Sequence, residues 1–487
     1  MATNHTVLIS PETMGRIDRA AADSGLDSYG LMQKAGAHVA AVLLAHFPAV
    51  RRAVVLCGPG NNGGDGHIAA GLLAGAGVEV MRFGPEPKPG GDAAKARNAY
   101  PGTLHVFEDW QPLEGDVIVD AVFGAGLDRP VSGDVEALIE RARQAGTPVI
   151  AVDLPSGVSG RTGEPTGACF QAVHTVTFAA LKPGHLLMPG RALCGQLHLC
   201  DIGIPGRMIV GDDPLWKNHP GLYNAALPAL AAGAHKYGRG HLGVFCGPLT
   251  STGAARLSAM AGLKSGAGLV TMVSRPSATM VLASHLTAIM QRMIRDEAEL
   301  QAWLSDKRLS AFVIGPGFGD QAMARSYVEL LAATGRPVVL DADGLSAYAG
   351  APAKLASLFE GDTRLVMTPH EGEFRRLFGN LADDSSLSKI DRARVAAQHH
   401  NAVMVYKGPD TVIAAPDGRA AVNADAPAFL ATAGSGDVLA GIIGGLLAQG
   451  MPPFEAACAG VALHGDAANR AGKGLTAEDL PAHITPL

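Results

Sequence analysis

Short apolar runs separated by stretches of helical spacing recur through the first half of the chain. Arg52–Cys57 is one such run and ends at Gly58. His67–Ala76 then reads as a helix and Val78–Phe83 as the next strand. Asp116–Phe123, Pro148–Asp153 and Thr175–Leu181 follow, divided by helical or glycine-rich stretches. Uninterrupted apolar runs suit strands buried on both faces, so this alternation predicts a parallel sheet between two helical layers. Two helices, Pro11–Ala22 and Ser28–Phe47, are expected ahead of it.

The periodicity lapses over Gly206–Leu227, a stretch rich in Pro, Asp, Asn and Gly, where a domain boundary is expected. Alternation restarts with His241–Cys246 and continues through Gly268–Val273, Ala311–Ile314, Pro337–Leu340, Arg364–Met367 and Ala402–Tyr406. A final helix, Asp437–Leu447, follows a glycine-rich turn. The pattern therefore predicts two successive α/β domains. A chain of 487 residues is also too long for one ordinary core.

Composition narrows the picture. Hydrophobic residues at 47% and charged residues at 17% favour packed domains over disorder. Sixty-two glycines beside only 5% aromatics suit folds with many tight strand-to-helix turns. The net charge of −6 offers no basic field for nucleic acid. No basic segment followed by an apolar run marks a signal peptide, and no apolar stretch approaches the roughly 20 residues of a membrane span. The six cysteines lack CxxC pairs. His198 between Cys194 and Cys200 reads as strand packing rather than a ligand set. Reduced thiols and a cytoplasmic location are expected.

Between the run at Arg52–Cys57 and the next helix lies Gly58-Pro59-Gly60-Asn61-Asn62-Gly63-Gly64-Asp65-Gly66. Five glycines in nine residues allow positive φ and close approach to a ligand, and amides at a helix start suit a phosphate. The string is neither the GxGxxG fingerprint nor a Walker loop. Two more strand ends carry oxygen ligands: Asp120 in Val119–Leu127, and Asp153 with Ser156 in Val152–Gly157. Carboxyl ends of parallel strands line one crevice, so the three loops can converge. Their Asn, Asp and Ser oxygens suit an alkali or alkaline-earth cation. Taken singly, each Asp reads equally as a helix cap.

These motifs, with Leu31–Gly36, resemble the NAD(P)H-hydrate epimerase domain over roughly residues 8–210. The resemblance implies a Rossmann-like three-layer α/β/α fold and a potassium ion held by Asn62, Asp120 and Ser156. It implies substrate contacts from Asn61, Asn62, Gly63, Gly64 and Asp65, from Gly124, Ala125, Gly126, Leu127, Asp128, Arg129 and Pro130, and from Asp153, which is the expected acid–base residue.

The second half carries Ala431-Thr432-Ala433-Gly434-Ser435-Gly436-Asp437. A glycine turn feeding a helix start forms an anion site, and a carboxylate there can take a proton from a hydroxyl as phosphoryl transfer begins. Alone, Asp437 reads equally as a helix cap. Gly315–Gly319, Thr368–Glu373 and Lys407–Thr411 stand at three other strand ends.

In that order these motifs resemble ribokinase-like enzymes, and most closely the ADP- or ATP-dependent NAD(P)H-hydrate dehydratases, over roughly residues 225–480. Ser435 replaces the more usual Thr and Glu371 a frequent Pro. The resemblance implies nucleotide contacts from Lys407, Gly408, Pro409, Asp410, Thr411 and Gly436. It implies hydrate contacts from Ala254, Gly317, Gly319, His370 and Asp437, with magnesium and ADP or ATP as cofactors and Asp437 as the catalytic base.

The expected organisation is an epimerase domain over 1–210, a linker over 211–224 and a ribokinase-like dehydratase domain over 225–487. Together they would interconvert the R and S hydrates and dehydrate the S form. The expected partners are hydrated NADH or NADPH and an adenine nucleotide, without nucleic acid or membrane. A homo-oligomer is expected, with no interface legible in one chain. Two other readings stay open: a ribokinase-like small-molecule kinase releasing a stable phosphorylated product, and a first domain that only binds.

Overall fold

The computed structural model describes residues 6–127, 129–209, 213–229, 233 and 235–486. The chain forms two compact units, Met1–Leu215 and Trp216–Leu487.

In the first unit seven strands form one sheet: β1 (Arg52–Cys57), β2 (Glu79–Phe83), β3 (Leu104–His105), β4 (Asp116–Ala121), β5 (Val149–Val152), β6 (His174–Phe178) and β7 (Gln196–Cys200). Their order is β3-β2-β1-β4-β5-β6-β7, and every pairing is parallel. This is the doubly wound Rossmann order extended by one edge strand. Alternation along β1 produces the layers. Ala53, Val55 and Cys57 enter a core shared with helices Ser28–His46 and Asn61–Gly75. Val54 and Leu56 enter a second core with Leu138 and Ile139 of helix Asp134–Ala145. The chain order reverses between β1 and β4, which opens a crevice at their carboxyl ends.

The second unit holds β8 (Leu215–Lys217), at the unit boundary, then β9 (His241–Phe245), β10 (Leu269–Ser274), β11 (Met290–Met293), β12 (Ala311–Ile314), β13 (Val338–Leu340), β14 (Leu365–Met367), β15 (Ala402–Tyr406), β16 (Thr411–Ala414) and β17 (Ala420–Asn423). The sheet order is β11-β10-β9-β12-β13-β14-β15-β16-β17-β8. From β11 to β15 all pairings are parallel, whereas β15, β16 and β17 pair antiparallel. Sequence patterning anticipates the parallel strands but not β11 or this hairpin. Four-residue strands are too short to show their period.

The helix expected at Asp437 spans Ser435–Ala448 and is buried almost throughout from Val438 onward. It is not the final one: Pro453–Ala471 and Leu480–His483 follow and pack into the same core. Among the described residues, no helix is long and apolar enough to cross a membrane.

Candidate active sites

In the first unit the glycine string does not form the expected loop. Helix Asn61–Gly75 starts inside it, so Gly63, Gly64, Asp65 and Gly66 are helical. None of its glycines adopts positive φ. Gly58, Gly63, Gly64 and Gly66 are required by contact instead, whereas Gly60 faces open space. A Cβ on Gly58 would lie 2.0 Å from the Val122 carbonyl oxygen, and one on Gly63 would lie 1.8 Å from the Gly58 carbonyl oxygen. The string thus presses the helix start against the ends of β1 and β4, and Asn62 stands beside the loop after β4.

That loop is held by a buried network. Asp120 is fully buried and accepts from the Ser156 amide at 2.7 Å, the Ser156 hydroxyl at 2.6 Å and the Val122 amide at 3.3 Å. The Phe123 amide donates to the Ser156 hydroxyl at 2.8 Å. Burial pushes the Asp120 carboxyl up to about 6 against these hydrogen bonds. Among the described residues no cationic side chain pairs with it. Asn62 has a buried amide nitrogen without a hydrogen-bond partner, and its amide oxygen lies 3.3 Å from where a Gly124 Cβ would be.

Asp153 sits at the end of β5 with φ of +64°, a conformation that non-glycine residues rarely hold. Its carboxylate accepts from the Ala125 amide at 2.8 Å, the Thr177 hydroxyl at 3.0 Å and the Lys182 ammonium at 2.8 Å. Burial favours the neutral acid, yet Lys182 and these donors overcome it and hold the carboxyl far below its usual range. Its side chain keeps 20% exposure, while Lys182 keeps 4%. His185 accepts from the Lys182 amide at 2.9 Å, and its other nitrogen lies 2.7 Å from the Asp153 carbonyl oxygen. Asp65 and Asp18 are displaced the opposite way, mainly by burial, with the Asp153 charge adding to it.

The structure therefore brings Asn62, Asp65, Gly124, Ala125, Asp153 and the Asp120–Ser156 pair to one crevice. Gly126 faces open space, Arg129 and Pro130 are exposed, and Asp128 lies outside the described residues. Sequence reasoning missed Lys182, Thr177 and Asp18. The signal for Lys182 was its position just beyond an apolar strand, the same placement that singled out Asp153.

In the second unit Gly434 (φ +87°) turns the chain into helix Ser435–Ala448, with Asp437 in the first turn. Burial lifts the Asp437 carboxyl to about 6; Asp341, Glu373 and Asp343 reinforce the rise and Lys407 opposes it. Lys407 bonds Asp341 at 2.8 Å and lies 4.0 Å from Glu373. A Cβ on Gly436 would meet the Lys407 ammonium at 3.2 Å. Ala342, between the two aspartates at the end of β13, holds φ of +47°. Asp341 and Asp343 went unnoticed in the sequence, although they too occupy a strand end.

The other expected residues divide. Gly317 (φ +60°) and Gly319 (φ +79°) adopt the left-handed region. A Cβ on Gly317 would stand 3.2 Å from that of Ala254, and the Gly319 amide donates to Asp343 at 2.9 Å. Ser258, on the same helix as Ala254, donates its hydroxyl to the Asp437 carbonyl oxygen at 2.7 Å. Ala254, Gly317 and Gly319 thus border the Asp437 cluster. His370 caps helix Glu371–Leu377, accepting from the Gly372 amide at 2.9 Å, but its side chain stays 55% exposed. The turn Lys407–Thr411 joins β15 to β16. In it the Thr411 hydroxyl donates to the Gly408 carbonyl at 2.8 Å, and Asp410 pairs with Lys389.

Comparison with known proteins follows the same division. Residues 28–184 match the family described as YjeF-related protein N-terminus, and residues 242–486 match NAD(P)H-hydrate dehydratase. The bifunctional NAD(P)H-hydrate repair enzyme Nnr of Escherichia coli (strain K12) is 36% identical, covering 98% of this chain and 92% of that protein. The enzyme of the same description from Coxiella burnetii is 35% identical over 99% of both. A ribokinase-like superfamily protein from Enterococcus faecalis V583, 21% identical, superposes on 56% of this chain and 95% of its own with a TM-score of 0.50, which shows the fold of the second unit.

Proposed function

The chain belongs to the family of bifunctional NAD(P)H-hydrate repair enzymes, and from that premise we propose which residues carry its two reactions. The enzyme joins an NAD(P)H-hydrate epimerase, an isomerase, to an ADP- or ATP-dependent NAD(P)H-hydrate dehydratase, a lyase. We assign the epimerase to residues 1–210 and the dehydratase to 225–487; of the expected linker 211–224, β8 and Tyr223 add to the second unit's sheet and core.

The observation that carries the assignment is a pair of carboxylates at strand-end crevices, displaced in opposite directions. Asp153 is held ionised by Lys182, while Asp437 is lifted to about 6 among other acids. Strongly displaced carboxyls in a cleft, each with named charge partners, mark candidate catalytic positions.

In the first site Asp153 accepts the proton of the hydrate's hydroxyl and Lys182 holds its carboxylate in place. As that proton leaves, the ring C–N bond to the same carbon breaks to give an open-chain aldehyde, and Asp65, raised toward its neutral form, protonates the departing nitrogen. Rotation about the carbon's remaining C–C bond and the reverse proton transfers close the ring on the other face. Asn61 to Asp65 and Gly124 to Pro130 cradle the dinucleotide. The oxygens of Asn62, Asp120 and Ser156 fit a potassium ion, since hard oxygens surround a buried carboxylate that no side-chain cation balances. When bound, that ion supplies the missing countercharge.

In the second site the donor's phosphoryl group passes to the substrate hydroxyl. Asp437 takes the hydroxyl proton as the new P–O bond forms and the donor's P–O bond breaks. Phosphate then departs with the C–O bonding pair, the ring nitrogen feeding in its lone pair, and loss of a neighbouring C–H proton restores the double bond. Ala254, Gly317, Gly319 and His370 border the hydrate, and Lys407 to Thr411 with Gly436 hold the nucleotide. Lys407, paired with Asp341, must exchange that carboxylate for phosphate oxygens when the nucleotide arrives. Asp341, Asp343 and Glu373 fit magnesium by their donor chemistry; when bound, it neutralises charge on the transferring group.

We further assign ADP as the preferred donor and the S hydrate as the form dehydrated. The free cysteines fit a cytoplasmic enzyme. Self-association is part of the proposal and is checked by its mass in solution. The decisive experiment supplies the R hydrate alone with nucleotide and follows recovery of reduced-cofactor absorbance. The whole chain should regenerate NADH. Asp153→Asn should stall on R yet still consume S. Consumption of R by that variant at the parental initial rate would overturn the assignment.

A further inference from the structure

Three histidines distant in sequence meet at the opposite end of the first sheet from Asp153. His46 is the last residue of helix Ser28–His46, His174 opens β6 and His198 lies midway along β7. In the β6–β7 register His198 stands beside Val176, so strand alternation puts His174 and His198 on one face as diagonal neighbours. Val176 belongs to the core covered by helix Ser28–His46, which delivers His46 to the same point. Asp153 follows β5 at its carboxyl end, whereas His174 begins β6. The length of a strand, on the order of 13 Å at about 3.3 Å per residue, therefore separates the cluster from the catalytic crevice.

The rings are close. His174 Nδ1 and His198 Nε2 are 3.1 Å apart. Ring centroids lie 4.0 Å apart for His46 and His174, 5.3 Å for His46 and His198, and 5.2 Å for His174 and His198. One ring nitrogen from each lies within 4.8 Å of the others. Three imidazoles about 2.1 Å from a tetrahedral ion hold their nitrogens about 3.4 Å apart, so closing the set needs only side-chain adjustment. His174 and His198 are half-buried and His46 exposed, which leaves an open side for water. Among the described residues none of the three bonds a carboxylate. Burial, with the neighbouring imidazoles, also lowers the proton affinity of the His174 and His198 rings.

We propose that His46, His174 and His198 form a binding site for a first-row divalent transition-metal ion of the zinc class, completed by water. Neutral imidazoles select zinc, nickel or copper over magnesium or potassium. Binding shifts the proton shared by His174 and His198 to the outer nitrogen of its ring, a tautomer change with no net proton release. Remote from the substrate, the ion clamps the edge strand β7 to β6 and to the end of the helix, a tie that protects an exposed edge. The Cys194 and Cys200 neighbours of His198 are not part of the set. Cys194 is buried, and its carbonyl accepts from Thr175.

The test uses the full chain, stripped with a chelator and exchanged into clean buffer. Zn2+ is titrated by calorimetry and Co2+ by its visible spectrum. The expected result is one zinc per chain, a strong tetrahedral cobalt band and a higher melting temperature with zinc. His46→Gln, at an exposed helix end, should keep the fold and dehydration of the S hydrate while weakening binding at least about 100-fold, no less than losing a second-shell partner costs. His198→Gln should do the same. Absence of zinc binding, or binding and a cobalt band unchanged in both variants, would overturn the proposal.

Discussion

Asp437→Asn separates the chemical role of this carboxylate from any structural one. Asparagine preserves shape and leaves the Ser258 bond to the residue's carbonyl oxygen intact. What disappears is a charge that burial and the acids Asp341, Glu373 and Asp343 disfavour. Raising a carboxyl from its ordinary value to about 6 corresponds to on the order of 3 kcal/mol against the ionised form, an upper bound because the site is partly solvated. The sign follows from linkage. A raised carboxyl stabilises the fold while protonated, and that contribution is lost as pH rises from about 4 through about 6. At pH 7.5 the variant should therefore melt a few degrees above the parent, and below pH 4 the two should converge. Catalysis should move the other way. Loss of a positioned base costs about 10²- to 10⁴-fold, or about 3–5 kcal/mol of barrier. The parent's dehydration of the S hydrate should fall about tenfold per pH step below about 6, and the variant should lack this limb. The assay is the initial rate of reduced-cofactor recovery across pH 5–8, beside thermal melts. A variant within tenfold of the parent, or one that retains the limb near pH 6, would refute the assignment.

Lys182→Met should strand Asp153 as a partly buried charge, costing about 3–5 kcal/mol in the first unit. Asp153 should then titrate higher, so epimerisation acquires an acid limb absent from the parent, whose carboxyl is held below its usual range; an unchanged pH profile would contradict the pairing. Asp120→Asn should abolish potassium dependence of epimerisation while leaving dehydration of the S hydrate alone, read from rates in potassium and lithium buffers. Gly58→Ala should destabilise the first unit by more than the ~1–3 kcal/mol of ordinary overpacking, since its Cβ would lie 2.0 Å from a carbonyl oxygen. Gly126→Ala meets nothing within 4 Å and serves as the control in the same melts.

The sequence alone determined the number of α/β layers, their parallel strands and the strand ends where chemistry collects. Apolar runs such as Arg52–Cys57 and Ala311–Ile314 can be buried on both faces only in a covered parallel sheet, and their carboxyl ends then share a crevice. Local patterning could not show what distant segments do to one another. It suggested that the glycines after β1 supply positive φ and close approach to a ligand, whereas none adopts positive φ and Gly58 and Gly63 are required by backbone contact with Val122 and with the turn itself. It marked Asp153 and Asp437 alike as candidate acids or bases. Only the fold put Lys182 against one and Asp341, Asp343 and Glu373 around the other, driving their proton affinities apart. His46 and His174 were likewise unremarkable, and His198 read as strand packing, until strand register and a helix end brought the three together. Electrostatic environment depends on distance in space, and chain spacing encodes that distance only within a single helix or strand.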